Sequence, residues 1–270
     1  MLPTALSIAG SDPSGGAGIQ ADLKTFLDCD VYGMAVLTAL TAQNTARVTG
    51  IHPVPPDFIS HQIATLRADL PVSAIKIGML VTAAIINAVA DALADYAGPV
   101  VLDPVMVSTS GHRLLQPDAI HALQTALIPR ARVVTPNLPE AEILLSGVAP
   151  QVWVDRTGVA VLLKDGHGTG PTVRDVLYRP GLSPVEFTHP RIASRNTHGT
   201  GCTLSSALAA HLARGEDLPE AAARAIAYVA ELIVRSAEHG LGRGKGPLLH
   251  GMQNVKHPED IKRSECAGES

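Results

Sequence analysis

Cysteine is scarce in this 270-residue chain: Cys29, Cys202 and Cys266 leave an odd thiol over, which excludes a disulfide scaffold and points to a reducing, cytoplasmic compartment. Long uncharged apolar runs are missing. The longest stretch, Val81 to Leu102, carries Asp91 and Asp95 and is broken by Gly98-Pro99, so no membrane span is expected. Met1 to Gly10 is apolar but too short for a signal segment, has no Lys or Arg before it, and reads as a first strand. Charge clusters are absent as well: with a formal net charge of -4 and scattered Lys and Arg, the chain offers no footprint for nucleic acid or an anionic membrane, and a small-molecule partner is expected. It has neither a Gly-x-x-x-x-Gly-Lys-Ser/Thr loop nor a Gly-x-Gly-x-x-Gly fingerprint, which disfavours P-loop NTPases and dinucleotide-binding dehydrogenases. The eleven histidines show no His-x-x-x-His spacing, so a zinc site is not expected.

What is present is apolar: 46% of residues are hydrophobic and 17% charged, enough to bury a large core in one domain spanning residues 1–250. The polar stretch 251–270, with Pro258 and a Gly268-Glu269-Ser270 end, reads as a frayed tail. Strand-like runs at Thr4–Ala9, Ala35–Thr41, Ala74–Ile77, Val100–Leu102, Val133–Thr135 and Val159–Leu163 alternate with helical patterns. The helices are expected at Ala17–Asp28, Asp57–Leu70, Thr82–Tyr96, Pro117–Leu127, Pro139–Leu145, Thr203–Ala213 and Pro219–His239, with a hairpin at Arg174–Tyr178 and Val185–Thr188. This alternation predicts an α/β fold with a mostly parallel sheet between helices, whose ligands sit outside the carboxyl ends of the strands.

Two glycine-rich elements stand at such ends. Gly10-Ser11-Asp12-Pro13-Ser14-Gly15-Gly16-Ala17-Gly18 joins the first strand to a helix, and can be read either as a tight turn or as a loop that lets a ligand approach the backbone. Asn196-Thr197-His198-Gly199-Thr200-Gly201-Cys202-Thr203 opens directly into a helix. A helix N-terminus presents free N–H groups and about half a positive charge, so this element reads as an anion hole. A plain N-cap by Thr200 or Thr203 would not require both glycines. Asp103, Glu140 and Lys164 also fall at strand ends. Carboxylates for a metal, a cation between phosphates and a donor-rich hole are what phosphoryl transfer needs, although each charge alone could be a solvated loop residue.

Five segments together resemble the hydroxymethylpyrimidine/phosphomethylpyrimidine kinase family: Ala9 to Thr25, Thr38 to Thr45, Lys76-Ile77-Gly78-Met79-Leu80, Leu102-Asp103-Pro104-Val105-Met106 and Thr197 to Thr203. The resemblance implies a ribokinase-like fold, ATP as donor, Mg²⁺ as its metal, a homodimer, and two successive phosphorylations of the pyrimidine precursor of thiamine. It implies that Gln43 hydrogen-bonds the ring in a pocket lined by Gly10, Asp22, Met79 and Val107. It further implies that Gly199, Gly201 and Cys202 form the anion hole, that Asp103 and Glu140 organise Mg²⁺, and that Lys164 faces ATP. Many ribokinase-like enzymes carry an Asp where this chain has Cys202; at a helix N-terminus the thiol is expected to have a lowered pKa and to act as base.

The chain departs from the family pattern twice. Ser146–Gly158, with Pro150 inside it, reads as a connection without the helix usual there, shortening the wall of the nucleotide site. Asp165, following Lys164, sets a negative charge near a triphosphate. A pyridoxal kinase is the alternative enzyme, a ligand-binding regulator on the same scaffold the alternative class, and a cysteine hydrolase pairing Cys202 with His198 a third reading. Trp153 reads as surface packing, and Lys76 has no role that the sequence supplies.

Overall fold

The computed structural model describes residues 2–108, 110–112, 114–166, 168 and 170–252. The elements run β1 (Thr4–Ser11), α1 (Gly18–Asp28), β2 (Tyr32–Gln43), β3 (Val48–Pro53), α2 (Pro56–Arg67), β4 (Ala74–Ile77), α3 (Ala83–Ala92), β5 (Val100–Leu102), α4 (Ala119–Ala122), β6 (Val133–Val134), α5 (Leu138–Leu145), α6 (Pro150–Thr157), β7 (Ala160–Leu163), β8 (Thr172–Arg179), β9 (Leu182–Pro190), α7 (Thr200–Ala213) and α8 (Leu218–Ser236). They build one nine-stranded sheet in the order β3-β2-β1-β4-β5-β6-β7-β8-β9. The six strands from β2 to β7 are parallel to one another. β3 and the β8–β9 hairpin close the two edges antiparallel.

The central strands are apolar without alternation because both faces are covered. Residues Thr4 to Gly10 of β1 are all buried. Leu6, Ile8, Ile75, Ile77, Val100 and Leu102 face a core filled from α2, α3 and α5, whereas Ala5 and Val101 face one filled by Phe26 of α1, Leu204 and Leu208 of α7 and Ile226 of α8. Side chains of a strand alternate between faces, which is why neighbours such as Val100 and Val101 serve different cores.

Expected and observed elements differ where local pattern misleads. β4 and β5 have the expected bounds. β3 goes unforeseen, since an edge strand with Pro53 and mostly exposed side chains carries no apolar signal. The helix expected over Pro117–Leu127 is α4 followed by a π turn at Leu123–Leu127 and a 3₁₀ turn at Ile128–Arg130. Pro129 has no N–H for the helical ladder, and the Thr125 hydroxyl donates to the His121 carbonyl (2.8 Å). The largest correction is α6: Ser146–Gly158 is not a shortened connection but contains a helix. Pro150 stands at its first position, where the missing N–H costs nothing, and Gly158 ends it in the left-handed region at φ 74°. Trp153 of this helix packs, partly buried, against the core. The tail expected to fray lies, from residue 253, outside the described residues.

Candidate active site

Because β2, β1, β4, β5, β6 and β7 run parallel, their carboxyl ends lie along one edge, and the predicted site residues collect there. Gly10 and Gln43 end β1 and β2, Met79 follows β4, Asp103 follows β5 and Lys164 follows β7.

The first glycine loop is organised by Asp12. Its carboxylate accepts from the Ser14 amide (2.9 Å), the Ser14 hydroxyl (2.7 Å), the Ala17 amide (2.9 Å) and His198 Nε2 (2.7 Å). Burial alone would raise the Asp12 pKa, but the hydrogen bonds from His198 and Ser14 outweigh it and hold the group below its usual range. Gly18, at φ 57°, lies so close to the first strand that a Cβ would stand 2.3 Å from the Gly10 carbonyl oxygen. The second loop meets the first directly. Gly199 has φ 83°, and a Cβ there would fall 1.8 Å from the Gly16 carbonyl oxygen. Glycine at both positions is therefore a packing requirement as well as a conformational one.

Helix α7 begins at Thr200, and the Thr203 amide donates to the Gly199 carbonyl (2.8 Å). The amides of Gly201 and Cys202 precede that first helical bond, as the opening turn of any helix requires. Gly201 lies beside a charged pair. A Cβ on Gly201 would stand 3.5 Å from Asp103 Oδ2 and 3.6 Å from Lys164 Nζ. Lys164 Nζ donates to Asp103 Oδ1 at 2.9 Å, and Thr135 Oγ1 donates to the same oxygen at 3.0 Å. Burial opposes both charges, but each stabilises the other: the Asp103 pKa is lowered and the Lys164 pKa raised. The two residues stay ionised beside the helix N-terminus.

Glu140 also stands at this edge, with its carboxylate already engaged. It closes a capping box at the start of α5, accepting from the Asn137 amide (2.9 Å) while Asn137 Oδ1 accepts from the Glu140 amide (2.9 Å), and its other oxygen lies 3.5 Å from the Met106 amide. Burial pushes its pKa up. Among the described residues no cluster of three or more His, Cys, Asp or Glu side chains could hold a metal by itself. Asp103 and Glu140 do fit Mg²⁺ bound through water and a ligand's phosphates, because this ion keeps most of its own shell.

Two expectations need correction. Cys202 was expected to have a lowered pKa, yet burial pushes it up to about 11; Lys76 and the Gly18 amide lower it, but Asp22 and Asp103 add to the penalty. The thiol is protonated at neutral pH. Asp22 was expected to line the pyrimidine pocket, but it is 0% exposed. Its carboxylate takes Lys76 Nζ (2.7 Å), Ser7 Oγ (2.5 Å) and Ser206 Oγ (2.7 Å), beneath the site rather than in it.

Gly10 adjoins Met79, whose Sδ a Cβ would approach to 3.1 Å, and the Met79 carbonyl accepts from Thr38 Oγ1 (2.6 Å). Gln43 is partly exposed, with one end of its amide near Thr41 and the other near His198. Val107, on the segment after β5, is 52% exposed. The charge of Asp165 is offset by Arg191, 3.8 Å away, whose guanidinium also donates to the carbonyls of Gly166 (3.0 Å) and Gly170 (2.7 Å); the neighbouring His167 lies outside the described residues. His198 does not pair with Cys202 as a hydrolase would need, since its Nε2 is held by Asp12. No orienting partner for His198 is legible in the residues around it, because that partner lies 186 positions away.

Solved structures of similar shape match almost the whole chain. A pyridoxal kinase from Staphylococcus aureus in complex with ADP superposes with a TM-score of 0.83 at 34% identity, covering 95% of this chain and 97% of its own. A phosphomethylpyrimidine kinase from Clostridium difficile gives 0.71 at 39% identity, covering 84% and 98%. The sheet, the paired glycine loops and the Asp103–Lys164 pair at the helix end define a small-molecule kinase of the ribokinase-like fold. Residues 12–249 match the family model described as phosphomethylpyrimidine kinase. A hydroxymethylpyrimidine/phosphomethylpyrimidine kinase from Rhizobium meliloti is 46% identical over 260 residues, 93% of this chain and 97% of that protein. The chain belongs to the phosphomethylpyrimidine kinase family.

Proposed function

We propose that this chain uses ATP to phosphorylate the hydroxymethyl group of 4-amino-5-hydroxymethyl-2-methylpyrimidine, and then the resulting monophosphate, supplying the pyrimidine half of thiamine. The observation that carries this reading is the convergence of the free amides of Gly201 and Cys202 with the ionised Lys164–Asp103 pair. Amides and the lysine neutralise the charge that spreads over the transferring phosphoryl group. Lys164, with Asp165, Gly166 and Gly170, whose carbonyls Arg191 draws together, would face the nucleotide. Asp103, with Glu140 through water, would hold Mg²⁺, which supplies charge neutralisation between phosphates. Gln43, Gly10, Met79 and Val107 would receive the ring, and Asp22 would support them from below.

Cys202 enters this scheme as a neutral lining of the anion hole. Phosphoryl transfer through a loose transition state places little demand on a base early in the reaction, so the alcohol proton can leave late, to an oxygen of the transferred phosphoryl group or to solvent water. Cytoplasmic location fits the free thiols Cys29 and Cys202. We assign a homodimer on the family resemblance, which sedimentation at micromolar concentration tests.

Pyridoxal phosphorylation is the second reading, favoured by the 0.83 TM-score to a pyridoxal kinase. ADP release measured side by side decides between them: hydroxymethylpyrimidine should release two equivalents of ADP per ring and pyridoxal should turn over much more slowly. Turnover confined to pyridoxal, or none with either alcohol, refutes the assignment. Lys164→Ala should cut ATP-dependent turnover while pyrimidine binding without nucleotide stays near that of the parent.

A further inference from the structure

His198, Asp12, Thr41 and Gln43 form a chain of polar contacts that joins both glycine loops to the end of β2, and the proton count along it is constrained. Asp12 is an ionised acceptor, so the 2.7 Å contact requires a proton on His198 Nε2, directed at the carboxylate. Gln43 Nε2 lies 3.5 Å from that same nitrogen, where two N–H groups would confront each other. At the other end Thr41 Oγ1 donates its single proton to the Ser11 carbonyl (2.9 Å), leaving an oxygen lone pair 3.2 Å from Gln43 Oε1. Both mismatches vanish when the amide is turned by half a revolution. Its NH₂ then donates to Thr41, and its oxygen lies beside the His198 Nε2–H that Asp12 accepts, a favourable acceptor–donor approach in place of two opposed N–H groups.

We infer that His198 and Thr41 fix the polarity of the Gln43 amide, and that this polarity selects a ring edge with a nitrogen acceptor on the Thr41 side and an amino donor on the His198 side. The inference rests on the pyrimidine reading above. It adds an orientation. His198 belongs to the loop that carries the anion hole, and in the proposed substrate the hydroxymethyl carbon is attached next to the carbon bearing the amine. An amine on the His198 side therefore turns the hydroxymethyl group towards Gly199, Gly201 and Cys202. With the opposite amide polarity the ring would seat with its alcohol turned away from the hole. His198 and Thr41 are thus positioning residues for specificity, acting through Gln43. A ring edge with oxygen in place of the amine would set two acceptors against each other.

The test is calorimetric binding, without nucleotide, of hydroxymethylpyrimidine and of its analogue carrying an oxo group in place of the amine. The parent should prefer the amine about ten- to a hundredfold, the cost of one unmade buried hydrogen bond. Thr41→Val and His198→Leu free the amide to rotate and should narrow that preference to a few-fold, with kcat falling more than affinity because the ring also seats reversed. His198→Gln keeps an N–H near the position of Nε2 and should restore the preference. An undiminished preference in Thr41→Val and His198→Leu overturns the inference while leaving the pyrimidine reading intact. So does a His198→Gln protein as permissive as His198→Leu. If the parent binds neither ring, the pyrimidine reading fails and this inference falls with it. Thr41→Val leaves Asp12 untouched, so it decides the matter even where His198→Leu does not fold.

Discussion

At Cys202 a helix N-terminus and a buried setting compete for one proton. The helix end and Lys76 favour a thiolate, but removal from water and the nearby carboxylates of Asp22 and Asp103 prevail, pushing the pKa up to about 11. Cys202→Ser should accordingly keep kcat within a few-fold, and alkylation of Cys202 by iodoacetamide should accelerate until the pH approaches 11. A loss of about 10²–10⁴-fold in Cys202→Ser would instead mark general-base catalysis and contradict this account. The position of Cys202 at the hole was legible in the sequence because Gly-Thr-Gly before a helix is a local pattern. Its protonation was not, since the burial and the charges that set it are brought together from α1, β4 and the end of β5.

The closing segment after α8 acts as an element although it is neither helix nor strand. The Gly246 carbonyl accepts from the His198 amide (3.0 Å), the Gly244 amide donates to Thr45 Oγ1 (3.2 Å), and His250 reaches the first turn of α7. Thr203 Oγ1 spends its proton on the Gly199 carbonyl (2.9 Å), so His250 Nε2–H must be the donor in their 2.9 Å contact. Burial lowers the His250 pKa to about 4, Lys24 adding to the effect and Asp28 opposing it. The folded state therefore binds fewer protons than the unfolded one between pH 4 and 6.5, and stability is lost as pH falls through that window. At full extent this one group accounts for about 3 kcal/mol. His250→Gln keeps an N–H donor without titrating, so its melting temperature should fall less than the parent's between pH 6.5 and 4; parallel curves would exclude His250 as the cause.

At the scale of the molecule, the Lys76–Asp22 pair ties four elements together. Both side chains are 0% exposed, and Ser7 of β1 and Ser206 of α7 complete the carboxylate's bonds between α1 and β4. Burial disfavours the Lys76 charge, but Asp22 outweighs it and raises the pKa. Lys76→Met should cost about 3–5 kcal/mol, because it strands a charge in the interior. Adding Asp22→Asn should recover much of that loss in denaturant titrations. Equal instability of single and double variants would mean that packing around the lysine stem, not the uncompensated carboxylate, sets the cost.

The amino-acid sequence determined the parallel sheet, the two glycine loops, the family and the clustering of Asp103, Glu140 and Lys164 at strand ends. Each of these is written in local pattern: apolar runs of strand length, glycines before a helix, and charged residues just after buried strands. The Pro150 start of α6 and the Asn137–Glu140 capping box are local signals as well, but tertiary structure alone decided that Asp22 belongs to Lys76 rather than to a ligand and that Cys202 keeps its proton. It also decided that His198 meets an aspartate from the other end of the chain. These outcomes depend on which distant groups share a buried space. The strength of an ion pair, the penalty of losing water and the partner of a donor are properties of that space, which no window of neighbouring residues contains.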